Sequence, residues 1–235
     1  MKLLYTLYLI ILIIVLPSCA GSSWKPLFDG KTTSGWRGLN QMQFPASGWK
    51  VENGMLIRST EDSVKSESGG DIITIEQYGN FELKWEWKLM SEGGNSGLKY
   101  FVLEELSEGS KYGIGLEYQI CDDQNMDSIK AGKLSDGDYH ALAALYEIYP
   151  AKNRLVKPVG QWNSSRIISR GHHAEHWLNG RKVLEYERGS EDFTARVAQS
   201  KFKTIPNFGL ADQGHILLQD HGSPAAFRNI YIREL

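Results

Sequence analysis

The stretch YGNFELKWEWKLM, Tyr78 to Met90, decides the fold. Phe81, Leu83, Trp85, Trp87 and Leu89 take alternate places, with Glu82, Lys84, Glu86 and Lys88 between them. Side chains of a strand point to opposite faces in turn, so this is a half-buried antiparallel strand with a solvated outer face. Working outward, GWKVENGMLIR places Asn53-Gly54 between two β-prone runs, a tight-turn signal because both central residues of such a turn need φ > 0. The stretch DIITI lies between that hairpin and the alternating strand, and EGGNSGLKYFVLEE and YGIGLEYQI follow as further strands behind a glycine-rich turn. A second Asn-Gly hairpin, HHAEHWLNGRKVLEYE, turns at Asn179-Gly180, and GHILLQDHGSPAAFRNIYIREL supplies two last strands.

Residues Cys121 to Arg170 read as the longest irregular stretch, of the kind that usually carries function in a compact domain. Its segment SDGDYHALAALYEIYP has room for a short helix. Ser190, followed by Glu191, Asp192 and Phe193, has the form of a helix start and predicts a surface helix. No βαβ alternation occurs, so the expected architecture is all-β, a jelly-roll β-sandwich with a long loop insertion and one short helix.

The chain has 235 residues, 41% hydrophobic and 23% charged, which suits one domain with a sizeable core, placed at 24–235. A formal net charge of −2 without long runs of either sign argues against nucleic acid as a partner. Residues 1–18 differ: Lys2 and a long apolar run end in LPSC, the form of a lipoprotein signal cleaved before Cys19, with 19–23 as the anchored linker. This predicts an exported, periplasmic or cell-surface protein held to a membrane through lipidated Cys19, which the intact mass of membrane-fraction protein would reveal. Cys121 then stands alone, so no internal disulfide is expected.

In YGIGLEYQICDD, residues Gly115, Glu117, Gln119 and Cys121 share a face. A retaining glycosidase needs two carboxylates about 5–5.5 Å apart, and this strand offers only the first. Glu117 is the catalytic candidate and Gln119 a binding group. On the second hairpin His173, Glu175 and Trp177 share one face, and His172, Ala174, His176 and Leu178 the other. With Ala174 and Leu178 in the core, His176 becomes a core histidine and Trp177 a sugar platform. Pairing across the turn places Leu184 and Tyr186 with His173. His173 and Glu175 could act as base and orienter or could hold a divalent metal, although no zinc spacing is present. His140 in the irregular stretch is a further acid or base candidate, because histidine titrates near neutrality. Asn95, Gln219 and His221 have turn roles as their plain reading and sugar binding as the functional one.

Seven segments occur in a familiar order: PLFDGKTTSGW, GGNSGLKY, GLEYQICDD, DGDYHALAALYEIYP, KPVGQWNSSRI, HHAEHWLNG and ILLQDHGSPAAFRNIYIREL. Together they resemble the 3-keto-disaccharide hydrolase domain family across almost the whole chain after the leader. The resemblance implies a concanavalin A-like jelly roll, exported lipoprotein relatives and action on 3-keto-glycosides. Such substrates change the chemistry required. The C3 carbonyl acidifies the C2 hydrogen, so one base removes it, the C1 group leaves, and water adds back. That route needs one base, an acid and donors at the C3 oxygen, and no carboxylate nucleophile. Two other readings are a carbohydrate-binding module without catalysis, and an ordinary glycoside hydrolase with a second carboxylate from Asp122, Asp138 or Glu175.

Overall fold

The computed structural model describes residues 23–60, 69–108, 112–125 and 137–235; the leader and Cys19 lie outside them. Thirteen strands are described: β1 Lys25–Pro26, β2 Trp36–Gly38, β3 Trp49–Glu52, β4 Met55–Arg58, β5 Ile72–Tyr78, β6 Phe81–Leu89, β7 Asn95–Leu103, β8 Ile114–Cys121, β9 Asn163–Arg170, β10 His173–Leu178, β11 Arg181–Glu187, β12 Gly214–Leu218 and β13 Ala225–Glu234. One α-helix, α1 Glu191–Gln199, joins β11 to the segment before β12. The strands form two antiparallel sheets. The larger runs β11-β10-β9-β6-β13-β4-β3, with β1 added to β13, and the smaller runs β2-β5-β12-β7-β8. This is the expected concanavalin A-like jelly-roll sandwich.

Period-2 burial packs the two sheets together. In β6, Phe81, Leu83, Trp85, Trp87 and Leu89 are all buried, as the alternation requires. They meet Leu98 and Tyr100 of β7, and Leu116, Tyr118 and Ile120 of β8, in one core. Trp85 and Tyr118 cross edge to face at 5.0 Å, the geometry that ring quadrupoles favour. Both Asn-Gly pairs turn as expected, with φ of 51° and 76° at Asn53-Gly54, and 47° and 82° at Asn179-Gly180. α1 begins where Ser190 predicts, and its hydroxyl accepts the Phe193 N–H at 3.1 Å.

Three expectations change. Residues 163–170, read as irregular, form β9, whose inner face alternates as Asn163, Ser165, Ile167 and Ser169. The segment ALAALYEIY forms no helix; it turns twice and straps itself onto the free edge of β8. Ala143 N–H donates to Gln119 O at 2.8 Å, Gln119 N–H to Ala144 O at 3.2 Å and Tyr146 N–H to Glu117 O at 3.0 Å. Across the second hairpin, Tyr186 pairs with Ala174 and Leu184 with His176, while Glu185 and Glu187 pair with Glu175 and His173. Tyr186 therefore points into the core and the two glutamates share the His173 face.

Candidate active site

Because Leu98, Tyr100, Leu116, Tyr118 and Ile120 fill the core, the residues between them must face out of the small sheet. Register then assembles them. Lys99 stands opposite Glu117 and Gly97 opposite Gln119. On the other flank of β7, the Gln219 N–H donates to Gly97 O at 2.9 Å. These residues floor a cleft of about 420 Å³, with Asn95 and His221 at one end. Tyr146 of the strap, and Lys201 and Phe202 from the segment after α1, form its wall.

Glu117 is the cleft's single carboxylate among the described residues. Its Oε2 lies 3.4 Å from Lys99 Nζ, and both side chains are less than a tenth exposed. Lys99 also donates to Gly113 O at 3.0 Å, so the buried amine is held by more than its ion partner. Behind it lies Asp71, which accepts from Gly113 N–H at 3.0 Å and Asp220 N–H at 2.8 Å. Burial pushes the Asp71 carboxyl up to about 6, with Lys99 and those two N–H groups opposing and Glu117 adding to the rise. Asp220 in turn is ion-paired with Arg58, both out of solvent. Two ion pairs, Glu117–Lys99 and Asp220–Arg58, therefore flank Asp71 under the cleft floor.

On the wall, burial lowers the Lys201 ammonium below the usual lysine range, against the pull of Glu117 and Glu147. Its Nζ sits 4.2 Å from the centre of the Tyr146 ring. The Tyr146 phenol is pushed up to about 12 by burial and then by Glu117, so it stays protonated at neutral pH and can donate. Asn95 Nδ2 lies 3.4 Å from His221 Nε2. Gln119 Oε1 accepts from Ile120 N–H at 3.2 Å. Asn95 Oδ1 and Gln219 Oε1 are buried with no hydrogen-bond partner in the described protein.

The cleft thus gathers Glu117, Gln119, Asn95, Gln219 and His221. It does not contain His173, Glu175 or Trp177, which lie on the outer face of the large sheet, opposite the core-facing Ala174, His176 and Leu178. Alternation gives two faces, and the outer one here opens on solvent instead of a cleft. There His173 Nδ1 meets Glu187 at 2.7 Å, and Glu175 accepts from Trp177 Nε1 at 2.6 Å. The Trp177 ring is covered by the Arg166 guanidinium at 4.0 Å, which takes the place of a sugar. His173, Glu175 and Glu185 bring potential metal ligands within 4.8 Å of one another, but Lys182 already bridges Glu175 and Glu185. His176 is a core residue: its Nδ1 donates to Ala143 O at 2.9 Å, and Nε2 faces the Tyr100 hydroxyl at 2.8 Å.

His140 stands behind Tyr146, ring centres 5.2 Å apart, and its two nitrogens are each 3.2 Å from a carboxylate, Asp138 and Glu147. Asp122 accepts from Gly93 N–H at 3.1 Å and Gln124 N–H at 3.2 Å, and so is committed to its turn. Sequence reading missed Lys99, Tyr146, Lys201, Asp71 and Gly97. Of these only Lys99 carries a local signal, a lone cation between the apolar Leu98 and Tyr100.

Residues 23–233 match the family model described as a 3-keto-alpha-glucoside-1,2-lyase-like domain. The 3-keto-disaccharide hydrolase of Bacteroides thetaiotaomicron is 34% identical over 230 residues, covering 89% of this chain and 77% of that protein. Two crystal structures of candidate glycosyl hydrolases from Parabacteroides distasonis also resemble the chain. One is 33% identical with a TM-score of 0.78, covering 90% of this chain and 94% of the other. The second is 28% identical with a TM-score of 0.67, covering 91% and 100%.

Proposed function

Because this chain belongs to the 3-keto-alpha-glucoside-1,2-lyase-like family, we propose that it is a glycoside-cleaving enzyme acting on sugars oxidised at C3, with Glu117 as the base. The observation that carries this reading is a single carboxylate among the described residues of a cleft that also holds two lysines. Cleavage through an oxocarbenium ion calls for two carboxyl groups flanking the bond. Ketone-activated cleavage calls for one base and cationic or donor groups around an enolate.

The steps are as follows. The Glu117 carboxylate takes the C2 proton, and the C–H electron pair moves into an enolate whose negative oxygen is at C3. Lys99, held beside Glu117, orients that carboxylate before the transfer. The ammonium of Lys201 faces the developing enolate charge. When the enolate collapses, the C1–O bond breaks and the departing oxygen takes a proton from the Tyr146 phenol. The product is a 1,2-unsaturated 3-keto sugar. Addition of water across C1 and C2 completes net hydrolysis, and release before that step makes the reaction an elimination.

The test follows a 3-keto-glucoside and its unoxidised parent by NMR in deuterium oxide. Turnover of the keto sugar alone, with deuterium entering at C2, is the expected result. Glu117→Gln should lower kcat by about 10²- to 10⁴-fold, as expected on losing the proposed base. Equal cleavage of both sugars, or a Glu117→Gln enzyme as fast as the parent, would overturn the proposal. Binding of the keto sugar without turnover would make the chain a carbohydrate-binding module.

A further inference from the structure

Gly97 is the flat place on an otherwise crowded floor. A Cβ built there would lie 2.8 Å from Glu117 Oε1 and 3.1 Å from Gln219 Oε1. Two acceptor oxygens, one from β8 and one from the residue just past β12, therefore converge on one point above a residue without a side chain. Glycine inside a strand often marks close approach by a ligand. Its φ lies outside the left-handed region, so the conformation itself does not demand glycine.

The two flanking glutamines differ. Gln119 already uses its amide oxygen on the Ile120 N–H. Gln219, 7% exposed, leaves its amide oxygen buried, unpaired and facing the cleft. Buried acceptors in folded proteins are nearly always satisfied, so one left open in a cleft marks the place of a donor on the ligand.

We infer that Gln219 Oε1 accepts the hydroxyl on C2, the carbon that yields its proton to Glu117, and that the enzyme selects sugars with a free hydroxyl there. The inference rests on the reaction proposed above. Gly97 lets the ring approach the floor, Glu117 meets the C2 hydrogen, and the oxygen substituent on the same carbon falls to Gln219. A site built to hydrogen-bond a substrate hydroxyl rejects the analogue lacking it strongly, because its own polar group is then left unpaired.

The test compares 3-keto-glucoside with its 2-deoxy-2-fluoro analogue, whose fluorine keeps C2 electron-poor but cannot donate. The wild-type enzyme should favour the hydroxyl compound by about 10²-fold or more in kcat/KM. Gln219→Met, of similar length, should lose most of that preference by slowing on the hydroxyl substrate alone. Equal rates in the wild type, or a preference that survives in a folded Gln219→Met protein, would overturn the inference. If neither keto compound is turned over, the proposed reaction fails instead. Dissociation constants of the wild type for the same two compounds then decide the subsite: tighter hydroxyl binding supports it and equal binding overturns it.

Discussion

Gly97 contributes no atom beyond the backbone, yet it sets the spacing of the cleft. Gly97→Ala places a methyl 2.8 Å from the Glu117 oxygen, and the carboxylate must give way. Displacements of that size cost about 10²-fold in rate when they affect reacting groups. We expect kcat/KM to fall by about that factor with little loss of stability, checked by kinetics beside thermal melts. The Glu117 and Gln119 face was legible from period 2 alone. Whether a face borders a cleft was not, and His173 and Glu175 show the difference, since their strand alternates as cleanly and opens on water. Lys201 and Tyr146 reach the cleft from connections, where no periodicity reports direction.

At the scale of elements, β9 explains where pattern reading stops. Apart from Ile167, its inner face is two hydroxyls and an amide, and a hydrophobic template passes over it. Asn163 and Ser165 are tolerated because they are paired, whereas Ser169 Oγ has no hydrogen-bond partner among the described residues. Trp87 Nε1 donates to Ser165 Oγ at 2.8 Å, Ser165 donates to the Tyr118 hydroxyl at 2.9 Å, and Tyr118 donates to Trp177 O at 3.2 Å. Ser165→Ala interrupts that series and strands the Trp87 N–H in the core. Leaving a buried donor unsatisfied costs about 1–3 kcal/mol, so urea unfolding should detect a loss of that size. The strands carrying apolar alternation, both Asn-Gly hairpins and the Ser190 helix start were legible because each is a local rule. The strap was not, because its hydrogen bonds go to a strand 24 to 29 residues earlier.

Across the whole molecule, two buried groups oppose each other over one pH window. Asp71 titrates at about 6 in the fold against 3.8 ordinarily. Between those values the unfolded chain loses its proton first, so Asp71 makes stability fall as pH rises, by roughly 3 kcal/mol in all. His176 is lowered by burial to about 4 from 6.5, with its bond to the Ala143 carbonyl opposing. Between those values the unfolded chain gains its proton first, so His176 makes stability rise with pH by roughly the same 3 kcal/mol. Each variant should unmask the other group. Relative to the parent, stability of Asp71→Asn should climb more steeply from pH 4 to 6, and that of His176→Gln should climb less or fall. Urea titrations at pH 4, 5 and 6 read both slopes, and unchanged slopes would refute the assignment.

The strap on β8 has a consequence for how such an enzyme diversifies. It is tied to the sheet by main-chain groups of Ala143, Ala144 and Tyr146, and at position 146 any residue other than proline can supply the N–H. Its Tyr146 side chain meanwhile forms a wall of the cleft. Anchorage and selectivity are thus written in different atoms of the same residues. Substitution at position 146 therefore changes the acid offered to the departing oxygen while the strand beneath keeps its partner, so the chemistry of the cleft can be altered in a single step that leaves the sheet intact.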